Sequence, residues 1–583
     1  MTRYEMSGVL ERIALLLELK GENPFKIRAY RTGAETVGAF AGDIVQLAAD
    51  NKLAGIKGLG DALREKLHEL ATTGKLEFYE KLRGEFPGEI LELFEINGLG
   101  PKKIALLHKE LKVSSTADLK RVLESGEAAA LSGFGEKTVE KLLEALAFRE
   151  QHAGSFRMDD AWQAAAVVLE FLKDLEGVTQ AEVCGSMRRG KEVVHDLDFL
   201  VATTVTSRAA VLQDFSRAPF AKEVLVAGET KVSIRLESGM QCDLRAVSTA
   251  EYPFALAYFT GSKEHNVQLR SRALKQGWTL NEYRMAPVTP ETASPSAIHD
   301  ERDLHRALGL DYIEPALREG SGEIEAAAQG GLPRLVELEN LRGTFHNHTT
   351  ASDGHASLEA MAQAAIDLGL EYLGIADHSK SSFQANGLDA ARLRAQIAEI
   401  RALNASWGDD FRLLAGSEVD ILKDGTLDYP DELLSELDYV VASVHNSFTL
   451  SEAEMTRRII RAVENPNVTM LGHLTGRLLL RREPYAVNIS AVLDACAANG
   501  TIIELNANPW RLDMDWRWWR AAKEKGVRCA INPDAHSTDG LQDLFFGIRI
   551  ARKGWLTRED VVNCLPLAKI MPVLQAKRNS AGS

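Results

Sequence analysis

Cysteine is scarce and scattered in this chain. The five cysteines in 583 residues, Cys184, Cys242, Cys496, Cys529 and Cys564, never form a Cys-x-x-Cys pair. That excludes a disulfide framework and a cysteine zinc finger, and it points to a reducing, cytoplasmic setting. No apolar run reaches the ~18 residues that a membrane span needs. An excess of positive charge is also missing. The formal net charge is -15, which excludes a uniformly basic surface. Within residues 1–150, however, acids and bases nearly balance, so DNA would be held at local phosphate sites and by metal ions. Low-complexity tracts and a solenoid-like period are absent too. The opening stretch MTRYEMSGVLERIALLLELKGENPF carries acids among its apolar residues, so it reads as an amphipathic helix rather than a signal peptide.

What is present suffices for several large cores. The composition is 45% apolar, and the length suggests about 3–5 domains. Residues 1–150 read as short helices between glycine turns, with helical periodicity in VLERIALLLELK and DALREKLHEL. Near residue 180 the texture changes to short strands, AEVCGSM, DLDFLVAT, VSIRLES and MQCDLRAV. Residues 250–318 return to a helix-rich mixture. LREGSGEIEAAAQGGLPRL then reads as a linker. After residue 341 apolar strands alternate with amphipathic helices: EYLGIADHS, FRLLAGSEVDIL, LDYVVASVH, VTMLGHLTG, GTIIELNAN, VRCAINPDAH. That alternation predicts a parallel, barrel-like α/β domain.

Three Gly-x-Gly turns stand in the helical region: Gly58-Leu59-Gly60, Gly98-Leu99-Gly100 and Gly133-Phe134-Gly135. Each opens an amphipathic helix. Glycines let the backbone come close to an anion, and the free N–H groups of a helix start bind a phosphate without reading bases. Lys102, Lys103 and Lys137 add charge just inside these starts. One such turn is only a turn; three with the same layout resemble helix-hairpin-helix elements that hold a phosphate backbone.

In CGSMRRGKEVVHDLDFLV, alternation puts Asp196 and Asp198 on one strand face, and Asp243 of MQCDLRAV belongs to a strand predicted beside it. Three convergent carboxylates can hold two divalent cations. Gly185, Ser186, Arg188 and Arg189 offer an amide, a hydroxyl and guanidinium groups suited to a triphosphate. Taken alone, Asp-x-Asp is as readily a solvated edge strand. The wider pattern GSxRRGKE…DxDFL with a third Asp, together with YFTGSKEHN, TLNEYRM and NPFKIRAYR, closely resembles the family X DNA polymerases over residues 1–318.

The resemblance implies that Asp196, Asp198 and Asp243 are catalytic, with two Mg2+ or Mn2+ ions. Gly185, Ser186 and Arg189 would hold the triphosphate. Tyr258, Phe259 and Gly261 would line the sugar, Asn266 would reach the base, and Arg270 would touch template. Lys66 falls where lyase-competent relatives carry a Schiff-base lysine, and Tyr30 matches that pocket; the alternative is a solvated helix lysine. The chain departs from many relatives at His195 and from the animal members at Val194, which puts triphosphate affinity in question, and it has Gln241 where the animal enzymes have Arg.

The third constellation begins at FHNHTTASDG. His346, His348, Asp353, His378, Glu418, His445, His473, Asp534 and His536 all lie at or near the ends of predicted strands. In a parallel barrel those ends converge on one face, and imidazole with carboxylate suits Mn, Zn or Fe. The set resembles the PHP (polymerase and histidinol phosphatase) domain from about 341 to 575. That implies a distorted seven-stranded barrel with a three-metal phosphoesterase site. Arg477, Asn508 and Arg511 are either phosphate ligands there or solvated surface.

The organisation expected is therefore an N-terminal helical DNA-binding (8-kDa-like) domain over 1–85, fingers with helix-hairpin-helix over 86–150, an α/β nucleotidyltransferase palm over 151–258, a thumb over 259–318, a linker over 319–340 and a PHP metallophosphoesterase domain, a distorted (β/α)7 barrel, over 341–583. The expected partners are gapped or primer-template DNA and deoxynucleoside triphosphates, with no membrane and a monomeric chain. The expected functions are gap filling in DNA repair, metal-dependent 3′–5′ trimming and abasic-site cleavage. The alternative is a polymerase whose PHP barrel is only a metal-stabilised scaffold.

Overall fold

The computed structural model describes residues 3–38, 40, 43–96, 98–407 and 411–581. The chain divides into two compact units, Met1–Ala153 and Gly154–Ser583.

The first unit is helical, with helices Arg3–Lys20, Pro24–Gly38, Ile44–Ala49, Asp61–Thr73, Glu77–Gly84, Pro101–Leu111, Thr116–Glu124 and Glu136–Gln151. Apolar residues at helical spacing, such as Leu10, Ile13 and Leu17 or Leu63, Leu67 and Leu70, turn inward. One core runs from Met6 to Leu146 across the two helical segments expected as separate domains. All three Gly-x-Gly turns have the same build. Gly58, Gly98 and Gly133 have φ of 93°, 86° and 86°, a region that side chains disfavour. The middle residue, Leu59, Leu99 or Phe134, is buried in the core. The second glycine caps the next helix in extended conformation without a side-chain hydrogen bond.

The second unit begins with a five-stranded sheet: β1 (Val178–Val183), β2 (Asp196–Thr203), β3 (Ala221–Ala227), β4 (Lys231–Leu236) and β5 (Gln241–Ser248), in the order β1-β2-β5-β4-β3. Strands β2 and β5 are parallel and the other pairs antiparallel. The sequence pattern missed β3. Its residues are mostly exposed, so AKEVLVA lacks a clean inward face. AEVCGSM is strand only as far as Val183, and Gly185–Arg188 is one helical turn.

Residues 319–340, expected as a linker, are folded. Glu323–Ala328 is a helix, and Ile324, Ala327 and Leu335 join the core that holds Leu269, Leu304 and Trp555. Glu323 is fully buried and accepts a hydrogen bond from His265 Nδ1 at 2.8 Å. Glycine- and alanine-rich composition here marks tight turns around a small helix rather than free chain.

The barrel follows. Its strands are β6 (Gly343–Thr344), β7 (Tyr372–Ile375), β8 (Arg412–Ala415), β9 (Glu418–Asp420), β10 (Val441–Ser443), β11 (Met470–Leu471), β12 (Ile502–Asn506) and β13 (Cys529–Asn532). Every pairing is parallel, and β8 and β9 are one strand interrupted at Gly416-Ser417, since β8 pairs with β7 and β9 with β10. That gives the seven strands expected. The first and last meet through a bridge between Asn347 and Ala535, with His348 N–H donating to Ala535 O at 2.8 Å. These strands are buried on both faces, which is why they read as apolar runs. Tyr439 fills the interior. A Cβ on Gly374 would lie 2.4 Å from its hydroxyl, and one on Gly416 would lie 2.2 Å from its ring.

Candidate active sites

Asp196 and Asp198 lie on β2, and Asp198 pairs in register with Asp243 on β5. Burial pushes the Asp198 carboxyl up to about 6, and the charges of Asp196 and Asp243 add to it. Burial also raises Asp196, with Asp243 adding to the shift. Burial would raise Asp243 as well, but Lys231 at 2.5 Å, Ser233 and Gln241 hold it below the usual range. Gln241, one of the departures, donates to Asp243 Oδ1 at 3.0 Å, so it supports that carboxylate. A half-buried cluster of three acids, two of them reluctant to ionise, is an environment that divalent cations relieve. Gly185 packs so closely that an added Cβ would lie 2.3 Å from Asp198 Oδ2.

One open cleft is lined by Gly185, Ser186, Arg189, Asp196, Asp198, Tyr258, Phe259, Gly261, Asn266 and Arg270, joined by His195, Ser262 and Lys263. All the expected nucleotide residues thus meet. The tandem arginines divide their work. Arg188 is tied to Glu301 at 2.8 Å and to Thr260 Oγ1 at 2.6 Å, so it is spent on the scaffold and does not serve a triphosphate. Arg189 donates through Nε to Glu319 and through Nη1 to Thr260 O, and it is among the residues that line the cleft. Asn266 donates to Tyr258 O at 2.7 Å. Arg270 is exposed, 5.9 Å from the Tyr258 ring. His195 is exposed and bonds Ser155 through Nδ1 at 3.2 Å.

In the helical unit Lys102 is exposed beside the second Gly-x-Gly turn, and Lys103 Nζ donates to Gly98 O at 3.1 Å. Tyr30 is buried and stacks on Phe78 with centroids 5.9 Å apart. Burial raises its phenol to about 12. Lys66 Nζ lies 5.2 Å from the Phe78 ring centroid and donates to Ala62 O at 3.3 Å, and Lys26 Nζ lies 5.6 Å from the same ring. Lys66 and Tyr30 therefore share one aromatic neighbour.

At the C-terminal ends of the barrel strands, eight of the nine expected ligands fall into three overlapping groups whose donor atoms lie within 4.8 Å of one another: His348, Asp353, His378 and His536; His346, His348 and Asp534; His378, Glu418 and His445. The ninth, His473, reaches Glu418 Oε1 through Nε2 at 2.9 Å. Glu418 is the hub, with His378 Nδ1 at 2.9 Å, His445 Nε2 at 3.1 Å and His346 Nε2 at 3.4 Å. Asp534 adopts a left-handed φ of 54°, a conformation that costs energy away from glycine.

The donors fit divalent metals. His346 Nε2, His348 Nδ1, His378 Nδ1 and His473 Nδ1 are buried without a hydrogen-bond partner; the short His378–Glu418 approach is not aligned as one. Burial alone would raise Glu418, yet the imidazoles of His445, His346 and His378 hold it well below the carboxylate range. Burial would lower His378 and His445, but Glu418 leads the carboxylates that push them up to about 10 and 9. His348 is pulled down to about 4 by burial and by His536 and His378. Such a buried alternation of anions and imidazoles calls for cations at its centre.

Sequence reading missed the residues behind these ligands. Glu504 on β12 is fully buried. It accepts from His346 Nδ1 at 2.6 Å, from the Asn506 and Asn532 amides at 2.9 Å each, and from His473 N–H at 2.9 Å. His346 is thereby turned with Nε2 inward. Asp420 does the same for His445 through Nδ1. An acid two residues beyond Glu418, and another within an apolar strand, were the available signals. Asp377 is no ligand. It accepts from Thr349 N at 2.8 Å and from Thr349 Oγ1 at 2.6 Å, and it also takes hydrogen bonds from Ser352 and Gln396. Among the expected phosphate residues, Arg511 points Nε at Asp534 Oδ2, 3.3 Å away. Arg477 is buried, donating to Arg511 O, Leu512 O and Asp515, so its guanidinium is occupied and unsuited to phosphate. Asn508 Oδ1 accepts from Trp510 N at 3.0 Å within its own turn.

Family models match four stretches: a helix-hairpin-helix domain over 1–76, a SAM-like helix-hairpin-helix tandem over 90–147, a DNA polymerase beta thumb over 255–319 and a PHP domain over 344–508. The PHP match stops before Asp534 and His536, which the fold carries into the pocket. A Bacillus subtilis (strain 168) protein named DNA polymerase/3'-5' exonuclease PolX is 38% identical over 99% of this chain and 100% of its own length. Two proteins named as probable phosphatases match 41% of the chain. One, from Thermoanaerobacter sp. (strain X514), is 29% identical with 96% of its length covered. The other, from Caldanaerobacter subterraneus subsp. tengcongensis, is 29% identical with 92% covered. Helix-hairpin-helix units, a polymerase thumb and a PHP barrel in one chain, matched end to end by that relative, establish that this protein belongs to the PolX family of DNA polymerases with a C-terminal PHP domain.

Proposed function

We propose that the chain fills short gaps in DNA with its Asp196–Asp198–Asp243 site and trims 3′ ends with its barrel site. The observation that carries this reading is the coexistence of both acid-rich clusters within one chain of this family. Divalent cations, two Mg2+ or Mn2+ on the aspartates and three of Mn2+, Zn2+ or Fe among the barrel donors, would neutralise phosphate charge and lower the pKa of water.

The chain's own residues then do the following. Asp243, paired to Lys231 and Gln241, stays ionised and accepts the primer 3′-hydroxyl's proton, directly or through water. Gly185, Ser186 and Arg189 hold the triphosphate. Tyr258, Phe259 and Gly261 bound the sugar, Asn266 faces the base, and Arg270 faces the template. The turns at Gly58, Gly98 and Gly133 hold DNA phosphates at helix starts, and their indifference to sequence suits repair synthesis. In the barrel, Glu504 and Asp420 orient His346 and His445, so the ring nitrogens converge where a scissile phosphodiester would lie, and Arg511 lies at its rim. We assign 1–85, 86–150, 151–258, 259–318 and 341–583 to the successive functional regions, acting as a monomer. Abasic-site cleavage would use the same barrel pocket.

A labelled primer-template incubated with and without nucleotides tests the reading. Extension with nucleotides and shortening without them must both occur. Extension alone would leave the barrel a scaffold, and phosphate release from small esters with neither would make it a tethered phosphatase.

A further inference from the structure

The helix Leu544–Lys553, which follows the last barrel strand, joins the two candidate sites. It follows the segment that carries Asp534 and His536, after the short turn Asp539–Asp543. Its packing against the barrel is tight: a Cβ on Gly547 would lie 2.6 Å from both Ala507 and Ile531 side chains. Its far end reaches the palm. Arg549 Nη2 donates to Met187 O at 2.8 Å, and Lys553 Nζ donates to Arg189 O at 3.1 Å.

Lys553 also forms an ion pair with Glu319. Glu319 in turn binds Arg189 Nε at 3.0 Å and lies 3.4 Å from Lys191 Nζ. The Lys553 side chain is 0% exposed and that of Glu319 9%. A lysine buried this deeply carries a large desolvation cost. Burial pulls Lys553 down to about 8 against the pull of Glu319. Glu319 faces three cations, which override its burial and hold it down to about 2. The two shifts run opposite ways for the pair, one resisting the charged form and one favouring it. The Glu319 direction describes the contact, because this one carboxylate is met by Lys553, Arg189 and Lys191 together.

Arg189 is thus fixed at three points: by Glu319, by the Thr260 carbonyl, and at its own backbone by Lys553. We infer that Lys553, a residue of the PHP barrel, is a positioning residue of the polymerase site: through Glu319 it holds Arg189 in the orientation that receives the nucleotide triphosphate. This rests on the assignment of Arg189 to the triphosphate. The helix Leu544–Lys553 is then a structural part of the nucleotide site.

The test is steady-state primer extension by the full chain bearing Lys553→Met. Loss of a held, charge-assisted contact should raise the nucleotide KM by about tenfold. kcat and single-stranded 3′ trimming should change less than about twofold. In an Arg189→Ala background, Lys553→Met should raise KM no further, because its route is already cut. An unchanged nucleotide KM in Lys553→Met, or effects that multiply in the double variant, overturns the inference. If Lys553→Met loses trimming as well, it has lost its fold; Glu319→Gln then carries the test by the same KM criterion. Failure of the wild-type chain to extend primers would instead sink the polymerase assignment.

Discussion

Asp198 and Asp243 stand opposite each other on neighbouring parallel strands, in register, with Asp196 two residues back on the same face as Asp198. The gathering of three acids, from Asp196 to Asp243 along the chain, makes the site dependent on each. Asp198→Ala should lower nucleotide addition by about three orders of magnitude, since the charge it offers a cation cannot be supplied by water. Shortening of 3′ ends should persist. Near wild-type extension by this variant would show that the palm is misassigned.

His348 sits in two of the three donor groups. His348→Ala should lose bound metal and at least about a hundredfold in 3′–5′ trimming, with primer extension largely kept. Asp534→Ala should behave alike. Chelator should abolish trimming, and manganese should restore it better than calcium, which prefers all-oxygen sites. Metal analysis by mass spectrometry beside the nuclease assay decides the matter.

Glu504 touches no proposed substrate yet turns His346 inward through Nδ1 and holds the His473 backbone N–H. Glu504→Gln keeps its shape but offers a weaker acceptor. It should cost about 10–100-fold in metal affinity or trimming, measured by competition with a chelator. Excess manganese should partly rescue the activity; no change in affinity would reduce Glu504 to a packing residue.

Lys66 and Lys26 both approach the ring of Phe78, beside buried Tyr30. Borohydride reduction with a 5′-deoxyribose-phosphate end should trap a covalent adduct, and Lys66→Ala should abolish it. An adduct undiminished in that variant would move the reacting amine elsewhere.

Glu319 gives a pH signature. Its folded value of about 2 lies below the ordinary 4.5. Its stabilisation is therefore complete above about pH 4.5 and is lost as the pH falls through about 2. Acid unfolding of the wild type should steepen in that window, and Glu319→Gln should remove that part of the slope. The variant should also be about 3 kcal/mol less stable at pH 7, because it leaves Lys553 buried and half-paired. Equal slopes in both proteins would deny Glu319 this role.

Much of the chemistry was legible in the sequence because it is written in short local patterns. Alternation along one strand puts Asp196 and Asp198 on one face, a glycine with positive φ marks each hairpin, and apolar runs ending in His or Asp mark the strand ends of a parallel barrel. Each depends only on backbone periodicity, so no distant residue is needed to read it. The fold alone decided how distant groups are used. Arg188 and Arg189 are alike by residue type, and the family resemblance alone favours Arg189; the fold supplies the reason, because Glu301 claims Arg188 and Arg189 lines the cleft. Arg477 and Arg511 look alike, yet only Arg511 faces the pocket. Glu504 is one acid in an apolar strand until the barrel closes and sets it behind His346. Residues 319–340 have a linker's composition but are held in place by burial of Ile324 and Ala327 and by the Glu319–Lys553 pair, made between residues over two hundred positions apart. Desolvation and charge pairing act through space, and no spacing along the chain encodes them.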